Sequence, residues 1–514
     1  MTGTAAGAPG SGGPGSADPG SGGGARAWHA ELAWLGDAGV RRDVLIEAAG
    51  DRFSRVTPDV PAAAVPAGTV TLAGLALPGL ANGHSHAFHR ALRGITQAGR
   101  GTFWTWRERM YEVAARLDPA SYLELATAVY AEMALAGITC VGEFHYLHHG
   151  PGGVPYADPN EMGHALIAAA GRAGLRICLL DTCYLSGGLG PDGAELPLAG
   201  PQLRFADADA DAWAERADAL SASVREIAGH GAGGFSPDRA APPGPAVQPG
   251  SAAPAGAAVQ PGRFARAGAA IHSVRAVPRG QLEPVVDWAA RHHAPLHLHL
   301  SEQVAENQAC QAAYGATPAA VLADAGALGP RTTAVHATHL TAGDLDLIGG
   351  SQCAACFCPT TEADLADGIG PASALAAVGS PLTVGSDSQA VIDLFEEARR
   401  IEHGERLVTQ ERGHFTAARL AVAATAAGHA SLGWPDAGTI APGAIADLVT
   451  VALDTPRTAG AAPATALEAV IFGASAADVR DVVAGGRDIV RGGRHLLVPD
   501  VPAALSAAIR AVLA

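Results

Sequence analysis

The stretch Pro295–Glu302, "PLHLHLSE", alternates leucine with histidine and ends in an acid. A period of two puts His297 and His299 on the same side of a β-strand, with Glu302 arriving where the strand gives way to a loop. The apolar run comes first and the chemistry-bearing side chains follow at its carboxyl end. The same order recurs in "GITCVGEFHY" (137–146), "LRICLLDTCY" (175–184), "AAIHSVRAV" (269–277), "TTAVHATHL" (332–340), "QCAACFCP" (352–359) and "PLTVGSDS" (381–388). Helical patterns separate these runs: "SYLELATAVYAEMALAG", "MGHALIAAAGRAG", "PVVDWAARHH", "TPAAVLADAGAL" and "GPASALAAVG". Strand–helix alternation predicts a parallel sheet, and about eight units over roughly 350 residues predict a (β/α)8 barrel of TIM type. Such barrels build their sites at the carboxyl ends of the strands, which is where the polar residues fall here.

Working outward, "DVLIEAAGDRFSRVTP" near the start and "ADLVTVALDTP" with "VRDVVAGGRDIVRGGRH" near the end read as short strands and turns. They predict a small β-sandwich built from both chain ends, residues 26–76 and 438–500, beside a catalytic barrel spanning 77–437. Residues 1–25 are rich in Gly, Ser and Pro and read as a disordered tail, with no apolar core of a signal peptide. Residues 230–262 repeat "AVQPG" and read as a low-complexity insertion in the barrel. Such an insertion costs stability only slowly with length, so it need not split the fold.

Composition narrows the chemistry. Thirty-four basic residues against 50 acidic ones give a net charge of −16, which disfavours nucleic acid and anionic membrane as partners. No lysine occurs among the 514 residues, which excludes Schiff-base catalysis, a P-loop lysine and a carbamylated lysine bridging two metals. Seven cysteines spread over a long chain are no disulfide framework. "CAACFC" (Cys353, Cys356, Cys358) lacks a second CxxC and reads as a buried strand with inert thiols. No run approaches the roughly 18 apolar residues of a spanning helix, so a soluble, cytoplasmic protein is expected.

"NGHSHAFHR" (82–90) adds His84 and His86, two apart at a strand end and able to reach one ion. A lone HxH occurs by chance; the company of "HLHLSE", "HATH" (His336, His339) and "GSD" (Asp387), each closing a separate strand, makes a His-rich metal site.

In this order, "PGLANGHSHAFHRAL", "HLHLSEQ", "AVHATHL" and "VGSDSQ" resemble the amidohydrolase superfamily in its mononuclear, deaminase-type form. "GTFWTWRERMYEVAARLDP" (101–119), "EFHYLHHGPGG" (143–153), "IHSVRAV" (271–277) and "FEEARRIEHGERL" (395–407) are similar to one branch of it, the formimidoylglutamate deiminases of histidine degradation. The likeness covers about Leu77 to Leu407. It implies one divalent metal ion per subunit, zinc, held by His84, His86, His299 and Asp387, with Glu302, His336 and Asp387 as catalytic groups. It also implies a dicarboxylate substrate bearing a formimidoyl group, contacted by His89, Arg107, Tyr146, His272 and Arg275, and a homodimer is expected.

The bland readings stand beside these. Arg107 could be a surface helix residue, Tyr146 a packed aromatic at the barrel rim, and His272 a satisfied core histidine. Arg275, a guanidinium just after an apolar strand, needs an anionic partner. His297 and His339 read as structural; His145, His148 and His149 either line the entrance or are solvated. His89 stands where the family pattern usually has glutamine, and Ile271 where proline is expected, which leaves the contact made at His89 open. Two other functions compete: a deaminase of a nucleobase-like or triazine heterocycle, which two guanidinium forks would suit poorly, and a catalytically dead barrel used as a binding module, whose signature would be lost ligands.

Overall fold

A computed structural model of the protein describes residues 25–229 and 264–514. The expected tail, apart from Ala25, and the expected insertion at 230–262 lie outside the described residues. Ala25 itself already belongs to a strand.

In chain order the strands are β1 (Ala25–Trp34), β2 (Val40–Ala49), β3 (Arg52–Thr57) and β4 (Val70–Pro78), then β5 (Leu80–Ser85), β6 (Ile138–His145) and β7 (Arg176–Cys183). A short hairpin of β8 (Gly188–Leu189) and β9 (Glu195–Leu196) follows. Next come β10 (Ala265–Ile271), β11 (Leu296–Leu300), β12 (Thr332–His336), β13 (Ala354–Phe357) and β14 (Leu382–Val384). Near the end lie β15 (Leu448–Val451), β16 (Val479–Ala484), β17 (Arg487–Arg491) and β18 (Arg494–His495).

Strands β5, β6, β7 and β10 to β14 form one sheet in that order, every pair parallel, with helices in the connections. The sheet closes on itself through a parallel bridge between Ser85 and Asp387, with His86 N–H donating to the Asp387 carbonyl and Asp387 N–H to that of His84. This is the expected (β/α)8 barrel. The close approach has a sequence cause: a Cβ on Gly385 would stand 2.7 Å from the His84 carbonyl oxygen, so only glycine lets the chain after β14 meet β5.

Helix α1 (Phe103–Arg116) and helix α2 (Pro119–Leu135) fill the first connection. Asp118 caps α2 by accepting from Ser121 N–H while Pro119 opens the helix, and Gly137, at φ 89°, lets the chain turn straight into β6. The alanine-rich sequence of α2 lets it pack tightly between the barrel and the C-terminal helix Val501–Leu513.

The second sheet comes from both chain ends, in the order β18-β17-β16-β15-β4-β1-β2-β3. It curls until β3 meets the chain before β15, where Phe53 N–H donates to Ala444 and Gly443 N–H to Phe53. Trp28, Val44, Ile46, Phe53, Leu72, Leu448 and Val483 fill the enclosed core. This sheet is the expected element from both ends, although β4 runs to Pro78, past the boundary expected at 76. Arg176 at the start of β7 forms a buried ion pair with Asp447 just before β15 and joins the two sheets. Asp447 also accepts from Thr139 Oγ1 and Gly485 N–H.

Several strands are shorter than their quoted runs, and one of these differences moves a site residue. "AAIHSVRAV" is strand only to Ile271; Ala276 and Val277 donate back to the Ser273 carbonyl, so the chain turns and Arg275 rides on that turn rather than on the strand.

Candidate active site

His84 sits at the end of β5 and His86 one residue beyond it; His299 lies in β11, His336 ends β12, and Asp387 follows β14. All five are buried. One ring nitrogen from each of His84, His86 and His299 lies within 4.8 Å of the others, and His84 Nε2 is 3.2 Å from His299 Nε2. The Nδ1–H groups of His86 and His299 donate to the carbonyls of Phe144 and His272, both at 2.9 Å. That fixes the tautomers and leaves each Nε2 lone pair facing the common centre. Asp387 Oδ1 stands 3.4 Å from His84 Nε2 and 3.3 Å from His86 Nε2. Burial holds the His84, His86 and His299 rings well toward the neutral form, the form that ligates. Asp387 is driven the other way: burial opposes its charge, but the facing histidines hold its carboxyl well below the usual range. Three converging ring nitrogens and a carboxylate fit a divalent cation.

Beside this centre, Glu302 Oε1 stands 3.8 Å from His336 Nε2. Burial opposes a charged His336, yet Glu302, Glu362 and Asp387 surround it and raise its pKa well above the usual histidine value. Burial likewise pushes Glu302 up, with His336 and Arg275 pulling it back. Several residues here hold left-handed backbones without being glycine: Ser301 (φ 50°), His336 (67°), Asp387 (41°) and Gln389 (60°). Each costs roughly 1 kcal/mol or more, and their clustering at strand ends is the pattern of a site rather than of a scaffold.

A cleft opens above the centre. His89, Arg107, Tyr146, His272 and Arg275 all line it with Glu302, His336 and Asp387, so every residue proposed for substrate from sequence meets in one space. Arg107, on α1, stacks over Trp104 and Tyr111 with its guanidinium carbon 4.6 Å and 5.5 Å from the ring centres. Arg275 is held between Glu302 (3.4 Å) and Glu306 (3.6 Å). Burial opposes its charge, and Glu306 followed by Glu302 outweigh burial and raise its pKa. His89 Nε2 is 2.9 Å from the Tyr146 hydroxyl, and burial lowers the His89 pKa to about 3, so this ring is neutral.

His297 and His339 do stand aside, bonded through Nε2 to the Ser431 and Asp367 carbonyls. The histidines of "HYLHH" are neither an entrance nor solvated: His145, His148 and His149 are buried, with His148 Nε2 bonded to the Thr182 carbonyl and His149 facing Asp207. The cysteines of "CAACFC" are buried and free, as expected.

Sequence reading missed the residues that hold these histidines in place. Glu143 in β6 accepts from Ser85 Oγ and Ala87 N–H, on either side of His86, and burial raises its pKa to about 8. Ser85 Oγ in turn receives Gln389 Nε2, Gln389 Oε1 receives Ser386 Oγ, and Asn82 bonds Ser386 through both ends of its amide. This buried chain stitches the first strand to the last. Its signals were a lone acid inside the apolar run "GITCVGEF" and an amide two residues past Asp387. Glu306 was missed as well; its signal was the four-residue spacing from Glu302.

The amidohydrolase family profile matches residues 75–489. A formimidoylglutamate deiminase from Pseudomonas aeruginosa is 35% identical over 478 residues, 91% of this chain and 95% of that protein. Among solved structures, an amidohydrolase from Brucella melitensis superposes with a TM-score of 0.80 at 30% identity, covering 95% of this chain and 100% of that one. A zinc-bound adenosine deaminase from Xanthomonas campestris shares the fold at 23% identity, with a TM-score of 0.74 over 94% of this chain and 97% of that one.

Proposed function

The chain belongs to the amidohydrolase family, and from that premise we propose that it hydrolyses N-formimidoyl-L-glutamate to N-formyl-L-glutamate and ammonia. The observation that carries this reading is the meeting, in one cleft, of a buried three-histidine centre with two guanidinium groups, Arg107 and Arg275. A substrate with a basic amidine at one end and two carboxylates at the other needs both.

His84, His86, His299 and Asp387 would hold one divalent ion per subunit, zinc on the chemistry of this nitrogen-rich donor set. When bound, such an ion polarises the amidine and lowers the pKa of a water toward neutrality. Glu302 accepts the proton of the attacking water and delivers it to the terminal nitrogen, because ammonia leaves where an amide anion cannot. His336, whose pKa the surrounding carboxylates raise, donates to the attacking oxygen as the tetrahedral centre forms. Asp387 shares in orienting the water. Arg275 and Arg107 take the two carboxylates, with Tyr146 and His272 as hydrogen-bonding partners, and neutral His89 acts through Tyr146.

Seven free cysteines suit a reducing, cytoplasmic compartment, and no helix among the described residues is long and apolar enough to cross a membrane. We draw the boundary between end sheet and barrel at Gly79, and carry the expectation of a homodimer to light scattering. The deciding assay is ammonia release from formimidoylglutamate beside formimidoylaspartate and guanine. Turnover should be fastest on the glutamate derivative, since the spacing between centre and arginines is set; equal or faster release from guanine would overturn the reading.

A further inference from the structure

Asp387 presents one oxygen to each of two histidine environments. Its Oδ1 faces His84 and His86, whereas its Oδ2 faces His336 Nε2 at 3.9 Å. On that second side lies Cys358, the residue after β13. One donor atom from each of His336, Cys358 and Asp387 lies within 4.8 Å of the other two, and all three residues are buried. They come from three successive strand ends, β12, β13 and β14, so their backbones are held at one level of the barrel.

We propose that His336, Cys358 and the Oδ2 side of Asp387 form a second, thiophilic cation site, with Asp387 bridging it to the first. The inference rests on the reading that His84, His86, His299 and Asp387 hold the resident ion. Imidazole, thiolate and carboxylate together select zinc, cadmium or cobalt over the hard cations. Tetrahedral donors at bonding distance from such an ion sit about 3.5 Å apart, so small side-chain rotations close the set from its present spacing. His336 and Asp387 line the cleft, which gives an ion a route in, and the protons displaced from the Cys358 thiol and from His336 Nε2 leave to solvent by the same route. Burial, with Cys356, Asp387 and Glu362 beside it, raises the pKa of this thiol, so the second site is weaker than the first and fills only with excess ion. A second ion there occupies His336, so filling it stops turnover.

The test begins with enzyme carrying one zinc per chain, titrated with cobalt(II) and, separately, cadmium(II). Bound metal per chain, near-ultraviolet absorption and turnover are read together. A second equivalent accompanied by a thiolate-to-cobalt charge-transfer band, with turnover falling in step, is expected of the unaltered protein. Cys358→Ser and Cys358→Ala should keep the first equivalent and their basal turnover, lose the band, and need at least about tenfold more cadmium for the same inhibition. No second equivalent, a second equivalent without the band, or an unchanged cadmium response in both variants would each overturn the proposal. Metal count and absorption need no substrate, so their outcome stands apart from whether formimidoylglutamate is turned over.

Discussion

Arg275→Met separates two jobs that the structure gives one guanidinium. In the free enzyme Arg275 balances Glu306, which is wholly buried and whose carboxylate oxygens have no hydrogen bond of their own. In the complex it is assigned to a substrate carboxylate. Losing a charge-assisted hydrogen bond of that kind costs about 1.5–3 kcal/mol, so KM for formimidoylglutamate should rise roughly 10- to 150-fold while kcat changes less. The stability cost is bounded by chemistry: once abandoned, Glu306 can take up a proton. At pH 7 that costs at most about 4 kcal/mol, from roughly 1.4 kcal/mol per pH unit above an ordinary carboxyl pKa near 4.3, and at pH 5 about 1 kcal/mol. The sign follows from burial, which already raises the Glu306 pKa and raises it further once Arg275 is gone. A raised folded-state pKa contributes stability below the ordinary value and loses it as pH climbs, so the variant's deficit should grow from pH 5 to pH 7. Adding Glu306→Gln should remove that pH-dependent deficit and leave KM high. Denaturant melts at both pH values and steady-state kinetics on the single and double variants read both effects. An unchanged KM would refute Arg275 as carboxylate partner, and a deficit that Glu306→Gln does not relieve would refute Glu306 as its resting partner.

Glu302→Gln should lower kcat by about 10²- to 10⁴-fold while metal content, measured on the purified protein, stays at the parent level. Gln389→Ala should cut the bond to Ser85 between the two N-terminal histidines, and competition with a chelator should show zinc held about 10- to 100-fold less tightly, with Gln389→Glu rescuing less than the native amide. Stripping metal with a chelator should abolish ammonia release and lower the melting temperature, and zinc should restore both. Asp447 carries the acid limit between the sheets: burial opposes its charge but Arg176 holds its pKa down, so its contribution is complete above the ordinary carboxyl range and is lost as pH falls through the lowered value. Asp447→Asn should therefore lose several kcal/mol at neutrality and show a flatter acid limb in denaturant melts.

The barrel was legible because most of the apolar runs ended in a histidine or an acid, a local signal needing no knowledge of neighbours. His84, His86, His299, Asp387 and the two cleft arginines were singled out on those grounds together with the family likeness. What stayed hidden was defined by partners far along the chain. Glu143 looks like an oddity until Ser85 is seen beside it, and Gln389 is a loop amide until Asn82 and Ser386 surround it. The histidines of "HYLHH" were read by composition as solvated or rimming, whereas backbone carbonyls and Asp207 satisfy His148 and His149 inside the fold. Turn geometry after β10 was also beyond a pattern of apolar residues, because a single serine carbonyl ends the strand.

The bridge between Ser85 and Asp387 sets an order of assembly during synthesis. Two of the four proposed ligands leave the ribosome early, yet Asp387 can join them only after seven further barrel strands have been made, and the end sheet waits longer still for β15 to β18. At about 5–20 residues per second, the interval from His86 to Asp387 is roughly 15–60 seconds. During that time His84 and His86 sit on an unclosed edge, so a complete centre is a product of finished folding and cannot template it.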